Sequence, residues 1–348
     1  MPRRTASTQE GTHCAAIDNK PVNRCWTLTN GAAGNDRQAR ALARAMGLRA
    51  NPHLVQPGPP WSWLAPHLVQ RAPHALNALQ KSAFQAPWPA LAIGCGRDAA
   101  LYTRWLKREG HCRAVQILDP RADPHHWDVV VAPEHDRLQG ANVITTLGAL
   151  NPIDDEWLRN GRMDFAAIGE LPAPRLTVLL GGPRRGVKMD AAYAERLGQA
   201  LRARWRADGG SVLLLASRRT PPALFDAVKS HLADIPGLHW RHQDDGANPF
   251  AGAMGWAHRL VVTPDSVNML SEACATGLAV HSLVESELPE KLARFHGRLR
   301  ERGLLHDIDA STPTQQPALR ESVRVAEQVR WRLSIPAPQP PPGSGTKA

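Results

Sequence analysis

The sequence lacks most of the features that would assign a chain to a functional class at once. No stretch approaches the roughly 18 consecutive apolar residues that cross a membrane as a helix. Aromatic residues are only 5% of the 348, and no dense block of lysine and arginine is interleaved with them, so a nucleic-acid partner is not expected. Charged residues are 21% and hydrophobic residues 43%, a balance that indicates a folded globular chain.

Cysteine is also scarce, with five residues in no recognisable pattern. The odd number excludes a complete intramolecular disulfide framework, and the absence of Cys-x-x-Cys spacing removes the commonest zinc motif. Buried, reduced thiols are typical of a reducing compartment. The first twenty residues have no apolar core of a secretory signal. We therefore predict a cytoplasmic protein without a metal site, and leave open a peripheral attachment to the inner membrane.

Positive charge is in excess. Lysine and arginine number 42 against 32 aspartate and glutamate residues, which gives a net charge of +10. A basic protein favours phosphate-bearing partners, such as nucleotide diphosphates or anionic lipid headgroups. Composition does not choose between these partners.

Strand-like and helix-like segments alternate over two stretches of the chain. The first stretch begins with the apolar segment 24–29 and continues to 128–131. The second begins near residue 176, after a less regular segment at 151–174. Such alternation produces parallel sheets with crossover helices. We therefore predict an α/β protein with two Rossmann-like domains that face a cleft.

Composition and alternation together divide the chain into five segments. Residues 1–21 are polar and patternless, and residues 335–348 are rich in proline, glycine and serine, so both are predicted to be disordered. Between them we predict an N-terminal domain at 22–160, a C-terminal domain at 161–318 and a terminal helix at 319–334.

A glycine turn follows the first strand, at the edge where parallel sheets collect their ligands. Gly31 and Gly34 permit a tight turn, and the next helix can offer free N–H groups to an anion or a sugar oxygen. Asn35 and Asp36 come next. The GxxG spacing does not match the dinucleotide fingerprint GxGxxG, and a plain strand-to-helix turn is the alternative.

A second turn, Gly181-Gly182, follows the strand that opens the C-terminal domain. It lacks the GK[ST] ending of a phosphate-binding P-loop. However, Arg184 comes just after it, and Arg218 comes after the next strand. Because the ends of neighbouring strands converge, we predict that these residues contact a phosphate group. A basic surface turn is the alternative.

The third turn lies in VVTPDSVNMLSEACATG, residues 261–277, where a strand runs into a helix. Asp265 or Ser266 can cap this helix and leave the N–H groups of Val267 and Asn268 free for a diphosphate. Glu272 lies farther along the helix. The local pattern allows two interpretations of Glu272, a solvated helix residue or a ligand for a substrate hydroxyl.

Acidic and histidine residues cluster after two further strands, at 119–126 and 134–136. Their spacing is not that of HExxH, and no cysteine assists, so a metal site is not predicted. A histidine beside carboxylates, such as His135, can instead serve as a general base for a sugar hydroxyl. Surface loops with helix caps are the alternative.

Seven motifs occur in order, and they include WTLTNGAAGNDRQA, LLGGPRRG and VVTPDSVNMLSEACATG. With them the chain resembles the mitochondrial fission family named for the elongated-mitochondria phenotype of plants, over about residues 24–300. That family has many bacterial members, and its plant members recruit a dynamin-related protein to the mitochondrial surface. The family is in turn similar to GT-B glycosyltransferases.

The GT-B resemblance implies a role for each domain. The N-terminal domain would bind an acceptor at Gly31, Gly34 and Asn35, and the terminal helix would pack back on it. The C-terminal domain would bind a nucleotide-diphosphate sugar, with Glu272 on the ribose hydroxyls. The diphosphate would meet helix N–H groups and arginines without a metal or another cofactor. The residues implied there are Gly181, Gly182, Arg184, Arg218, Ser266, Val267 and Asn268.

Two departures from the GT-B pattern concern catalysis. Asn35-Asp36 stands where the acceptor turn commonly carries a histidine, and Pro183 replaces the usual serine. The catalytic base is therefore predicted to be Asp36 or His135.

The resemblance predicts a metal-independent glycosyltransferase with a lipid-linked or cell-envelope acceptor. Two alternatives stay open. One is a non-catalytic adaptor that recruits a protein partner to a membrane. The other is a nucleotide-sugar epimerase, which shares the GT-B fold and needs paired carboxylates in the cleft.

Overall fold

A computed structural model describes residues 24–311 and 315–336. The predicted disordered N-terminus, 1–21, lies outside the described residues, as does the predicted tail, 335–348, beyond residue 336.

The N-terminal half forms one parallel six-stranded sheet with helices on both faces. Its strands and helices follow in chain order: β1 Cys25–Thr29, α1 Ala33–Ala45, β2 Ala50–Leu54, α2 Trp61–Leu64, α3 Ala78–Ala83, β3 Leu91–Cys95, α4 Arg97–Glu109, β4 Arg113–Ile117, β5 Val129–Pro133 and β6 Val143–Thr146.

The C-terminal half forms a second parallel six-stranded sheet. Its elements are α5 Asp155–Asp164, β7 Arg175–Leu180, α6 Ala191–Asp208, β8 Ser211–Ala216, α7 Pro222–Ser230, β9 Gly237–Trp240, α8 Phe250–Trp256, β10 Arg259–Val262, α9 Val267–Cys274, β11 Val280–Ser282, α10 Glu290–Glu301, β12 His306–Asp307 and α11 Glu321–Leu333. The prediction of two Rossmann-like α/β domains is confirmed.

In each sheet, successive strands of the chain are added first towards one edge and then towards the other, so the strand order reverses once. The first has the order β2-β1-β3-β4-β5-β6, and the second has the order β12-β11-β10-β7-β8-β9. The reversals fall between β1 and β3 and between β7 and β10. In open parallel sheets, ligands bind in the crevice at such a reversal, outside the carboxyl ends of the strands. The glycine turns at Gly31 and Gly181 follow β1 and β7 and therefore lie at these two points.

The strands are apolar because both faces of each sheet are covered. Residues 25–29, 129–133, 175–180 and 211–216 are buried throughout. Such continuous runs are expected of parallel strands packed between helices. Burial also raises the pKa of the Cys25 and Cys274 thiols to about 12, so neither is a ready thiolate.

The chain crosses between the two halves twice. It leaves the first sheet after β6, and α11 later returns to pack on α1 and β6. The buried residues Val325, Ala326 and Val329 of α11 belong to the core beneath the first sheet. The N-terminal domain is therefore completed by the C-terminal end of the described chain. The predicted boundary at residue 160 falls within α5, which packs against α8 of the second half.

None of the helices in the described ranges is long and apolar enough to cross a membrane.

The contact between α5 and α8 requires a glycine. A Cβ at Gly161 would overlap the backbone carbonyl of Ala251. Gly161→Ala should destabilise the protein by about 2 kcal/mol, since the two helix backbones would have to separate. Gly297→Ala is the matched control, because Gly297 lies in α10 with open space around it and alanine favours the helix there. Thermal unfolding monitored by circular dichroism tests the pair, and equal midpoints would contradict it.

Candidate functional site

A fully buried carboxylate, Asp265, lies at the reversal point of the second sheet. Its Oδ2 accepts hydrogen bonds from the Gly182 amide, at 3.3 Å, and from Arg219 Nη2, at 2.6 Å. Its Oδ1 accepts from the hydroxyl of Thr263 at 2.7 Å. A carboxylate removed from water needs such donors, and Asp265 obtains all of them from its own domain.

The glycine pair 181–182 makes room for this carboxylate. A Cβ at Gly181 would overlap the carboxylate of Asp265, and a Cβ at Gly182 would overlap the backbone of Arg219. The pattern suggested that this turn approaches a phosphate. In the structure the amide of Gly182 already holds an internal anion.

The arginines around this turn have different partners. Arg184 Nη1 donates to the backbone carbonyl of Asp265 at 3.1 Å, and Arg219 pairs with the Asp265 carboxylate. Arg218 is exposed, and no side chain in the described ranges pairs with it. Of the two neighbouring arginines, Arg218 is therefore the one whose charge is available to a ligand.

Glu272 on α9 is only 2% exposed, so the solvated interpretation of this residue is wrong. Its Oε1 forms an ion pair with the guanidinium of Arg37, which reaches it from α1 of the other domain. Its Oε2 is buried and has no hydrogen-bond partner among the described residues. Burial raises the pKa of Glu272, and the nearby Arg37 opposes that shift.

Close packing of α1 on α9 brings this pair together. A Cβ at Gly34 would overlap the side-chain amide of Asn268. The Oδ1 of Asn268 accepts from Gln38 Nε2 at 3.4 Å. The guanidinium of Arg37 also lies 5.6 Å from the centre of the Phe250 ring. Gly34 is thus needed for the approach of the two domains, a reason that the strand-to-helix turn did not reveal.

The start of α9 retains the features predicted for an anion site. Ser266 is the N-cap, and its Oγ accepts from the amide of Met269 at 3.3 Å. The N–H groups of Val267 and Asn268 have no acceptor in the preceding turn of the helix. They lie at the reversal point, beside Asp265.

The glycine turn after β1 is held by side-chain amides. Gly31 adopts a φ of +83°, which favours glycine. Asn30 Oδ1 accepts from the Ala32 amide at 3.2 Å and from Asn35 Nδ2 at 3.1 Å. Asn35 also lies against Gly96, which follows β3. Asn35 therefore joins the two strand ends that flank the reversal point of the first sheet.

The two predicted bases lie apart. Asp36 follows β1 and His135 follows β5, three strand positions away, which corresponds to about 14 Å across a sheet. Asp36 is one-third exposed and forms an ion pair with Arg40 at 2.8 Å.

His135 lies in the contact between the first domain and α10. Its ring is 5.5 Å from Phe295, and Arg294 Nη2 donates to its carbonyl at 2.9 Å. The neighbouring Asp136 pairs with Lys291 at 2.8 Å. Burial lowers the pKa of His135, so the ring is neutral at pH 7, and its Nδ1 has no partner in the described part of the chain.

Two important residues were not singled out from the sequence. Arg37 was part of the first motif but had no assigned role, because nothing local shows that it reaches another domain. Asp265 was considered only as a helix cap, whereas it binds the Gly182 amide and Arg219 instead. In the described ranges, no group of three or more histidine, cysteine or acidic side chains is placed to hold a metal.

A family model for "Mitochondrial fission ELM1" matches residues 33–333. The chain belongs to the mitochondrial fission ELM1 family. The Arabidopsis thaliana mitochondrial fission protein ELM1 is 30% identical over 290 residues, which are 74% of this chain and 66% of the plant protein. The match thus spans slightly less than two thirds of that relative. An uncharacterised Rickettsia prowazekii protein is 22% identical and covers 89% of this chain and 98% of its own length.

Solved structures of the GT-B type share the fold of this ELM1-family chain. UDP-GlcNAc 2-epimerase from Methanocaldococcus jannaschii has a TM-score of 0.53 at 11% identity, covering 88% of this chain and 99% of the epimerase. Os79 from O. sativa has a TM-score of 0.52 at 13% identity, covering 89% and 91%. The predicted GT-B-like arrangement is confirmed.

The neighbouring arginines 218 and 219 provide a matched test of the Asp265 cluster. Arg219→Gln should destabilise this ELM1-family protein by about 2 kcal/mol, because a buried carboxylate loses its cation. Arg218→Gln should change stability by less than about 0.5 kcal/mol, since its side chain is exposed without a partner. Urea unfolding measures both, and equal losses would contradict the assignment.

The raised pKa of Glu272 predicts a pH dependence. A carboxyl group whose pKa is raised on folding favours the folded state while it is protonated, and this contribution is lost as the pH rises through the raised pKa. Glu272→Gln cannot ionise, so its stability relative to the wild type should increase as the pH rises above the ordinary glutamate pKa of about 4.3. Urea unfolding at several pH values measures the trend, with the exposed Glu156→Gln as control. A constant difference for Glu272→Gln would contradict the prediction.

Proposed function

We propose that this protein is a metal-independent glycosyltransferase that uses a nucleotide-diphosphate sugar. The observation that carries the proposal is the free Oε2 of Glu272. It is a buried carboxylate oxygen without a hydrogen-bond donor, on the helix that starts at a sheet reversal point and opposite a second Rossmann-like domain.

A sugar hydroxyl would supply the missing donor. A buried acceptor without a partner costs about 1–3 kcal/mol, and more when it is charged, so a ligand that donates to it recovers that energy on binding. The two neighbouring hydroxyls of a ribose can address the two oxygens of one carboxylate. This supports Glu272 as the ribose ligand. Arg37 would then either give up its contact with Oε1 or share that oxygen with the second hydroxyl.

The diphosphate would lie at the start of α9. The amides of Val267 and Asn268 offer donors there, and Arg218 offers an unpaired guanidinium. The backbone N–H of Gly182 already donates to Asp265 and is not free for a diphosphate. We therefore place the diphosphate away from Gly181 and Gly182. A structural neighbour, the M. jannaschii UDP-GlcNAc 2-epimerase, was solved with UDP-GlcNAc and UDP. A uridine nucleotide sugar is therefore the first donor to test.

The acceptor would bind at the β1 turn, beside Gly31, Gly34 and Asn35. Asp36 is the better placed of the two candidate bases, because it is partly exposed at that turn, whereas His135 is covered by α10. A lipid-linked or cell-envelope acceptor would bring the protein to the inner membrane as a peripheral protein.

A second candidate function, a membrane adaptor, is favoured by a different observation. Trp331 and Val323 on α11 are 81% and 59% exposed, although both are large hydrophobic residues. Large apolar side chains exposed on one helix can contact a protein partner. The plant relative is named as a mitochondrial fission protein, and an adaptor of that type would use this surface without sugar transfer.

Calorimetry with a panel of UDP-, GDP- and other nucleotide sugars tests the donor site. Glu272→Gln should weaken binding by about tenfold or more, because a charge-assisted hydrogen bond contributes about 1.5–3 kcal/mol. Glu156→Gln, an exposed glutamate on α5, is the control and should bind as the wild type does. Absence of binding for every nucleotide sugar, or an unchanged affinity in Glu272→Gln, would refute the proposal.

Product analysis distinguishes the three functions once binding is known. A glycosylated acceptor supports the transferase. An epimerised nucleotide sugar without net release of UDP indicates an epimerase, and a specific protein partner without any turnover indicates an adaptor.

A further inference from the structure

A shallow groove alongside α1 carries an unusual concentration of arginine. It is lined by Ala33, Asp36, Arg37, Arg40, Ala41, Arg44 and Pro152. The three arginines occur at spacings of three and four residues, which places them on one face of the helix. Three guanidinium groups against one carboxylate leave the lining residues with a net charge of +2.

The sequence around this groove provides no further counter-charge. Seven lysine and arginine residues lie between positions 37 and 97, and no aspartate or glutamate does. Arg40 pairs with Asp36, and Arg37 pairs with the buried Glu272. Arg44 is exposed, and no side chain in the described residues pairs with it. The groove therefore contains positive charge that the described part of the chain does not neutralise.

The length of the arginine row suits a diphosphate better than a single phosphate. From Arg37 to Arg44 the helix rises about 10 Å, and flexible side chains can converge from that span on two linked phosphoryl groups. Guanidinium groups bind phosphate oxygens in paired hydrogen bonds, and several of them can share one dianionic ligand.

We propose that this groove binds a phosphate-bearing ligand, with Arg40 and Arg44 as its principal contacts. The two principal contacts lie on α1 of the N-terminal domain, and the groove meets the Glu272 site only at Arg37, which lines the groove and pairs with Glu272. The proposal does not depend on nucleotide-sugar binding. The phosphate can belong to a lipid headgroup or to a soluble diphosphate, since both present the same oxygens.

Titration with inorganic pyrophosphate at low salt tests the site. We expect pyrophosphate to bind more tightly than inorganic phosphate, and Arg44→Gln to weaken it by about tenfold, the effect of one charge-assisted contact. Arg40→Gln/Arg44→Gln should weaken it further. Arg49→Gln is the matched control, because Arg49 is exposed in the same carboxylate-free segment but lies outside the groove. Circular dichroism confirms that each variant is folded.

Three outcomes would overturn the proposal. The first is equal weakening by Arg44→Gln and Arg49→Gln, which would show only general attraction to a basic protein. The second is loss of pyrophosphate binding in Arg218→Gln with no change in Arg44→Gln, which would place the ligand in the donor cleft. Absence of binding to pyrophosphate and to anionic vesicles would also refute it.

Vesicles identify the source of the phosphate. The protein is sedimented with phosphatidylcholine vesicles that contain phosphatidic acid. Binding to these vesicles that is lost in Arg40→Gln/Arg44→Gln, and that pyrophosphate competes away, supports a lipid headgroup. Pyrophosphate binding without vesicle binding supports a soluble ligand. Glu272→Gln should retain or strengthen pyrophosphate binding in either case, because it frees the charge of Arg37, which lines the groove. Failure of the donor-site proposal would therefore not refute the proposal for the groove.

Discussion

A carboxylate taken out of water must be given donors, and the C-terminal domain is organised around two such groups. Asp265 receives an amide, a hydroxyl and a guanidinium from its own domain, and three segments of the chain meet to supply them. Glu272 receives one guanidinium, and that one comes from the other domain. The first carboxylate is therefore fully compensated and structural, whereas the second joins the domains and keeps one oxygen for another donor. This difference separates the carboxylate that shapes the turn from the carboxylate that links the domains and has one oxygen without a donor among the described residues.

The sheets were predictable because periodicity and glycine turns act locally. Continuous apolar runs such as 211–216 and the turns after them indicated two parallel sheets, and the order of the motifs indicated the GT-B arrangement. The glycine turns were located correctly, but the reasons for two of their glycines were not. Gly34 makes room for Asn268 from the other domain, and Gly181 makes room for Asp265 from another strand end. These neighbours are more than eighty residues away, so no local pattern shows them.

The charged residues were the least predictable part of the site. Adjacent arginines at 218 and 219 are equivalent in the sequence and both exposed, yet only Arg219 is paired with Asp265 in the described ranges. Which of two neighbours reaches Asp265 depends on the backbone path after β8, and composition contains no information about it. Glu272 was singled out from its position in the motif. Its burial and its partner Arg37 became visible only when α1 and α9 were packed together.

The return of α11 to the first domain limits how the two halves can move. The segment that leaves the first domain is hydrogen-bonded to the segment that returns to it. Glu321 accepts from the Gly148 amide at 3.0 Å, and Ser322 donates to the Asn151 carbonyl at 2.7 Å. Two connections fixed side by side permit rotation about a single axis through them and resist sliding or twisting. Any rotation of one half against the other would change the distance between Arg37 and Glu272, because the two residues belong to different halves. This ion pair would therefore respond directly to the angle between the domains.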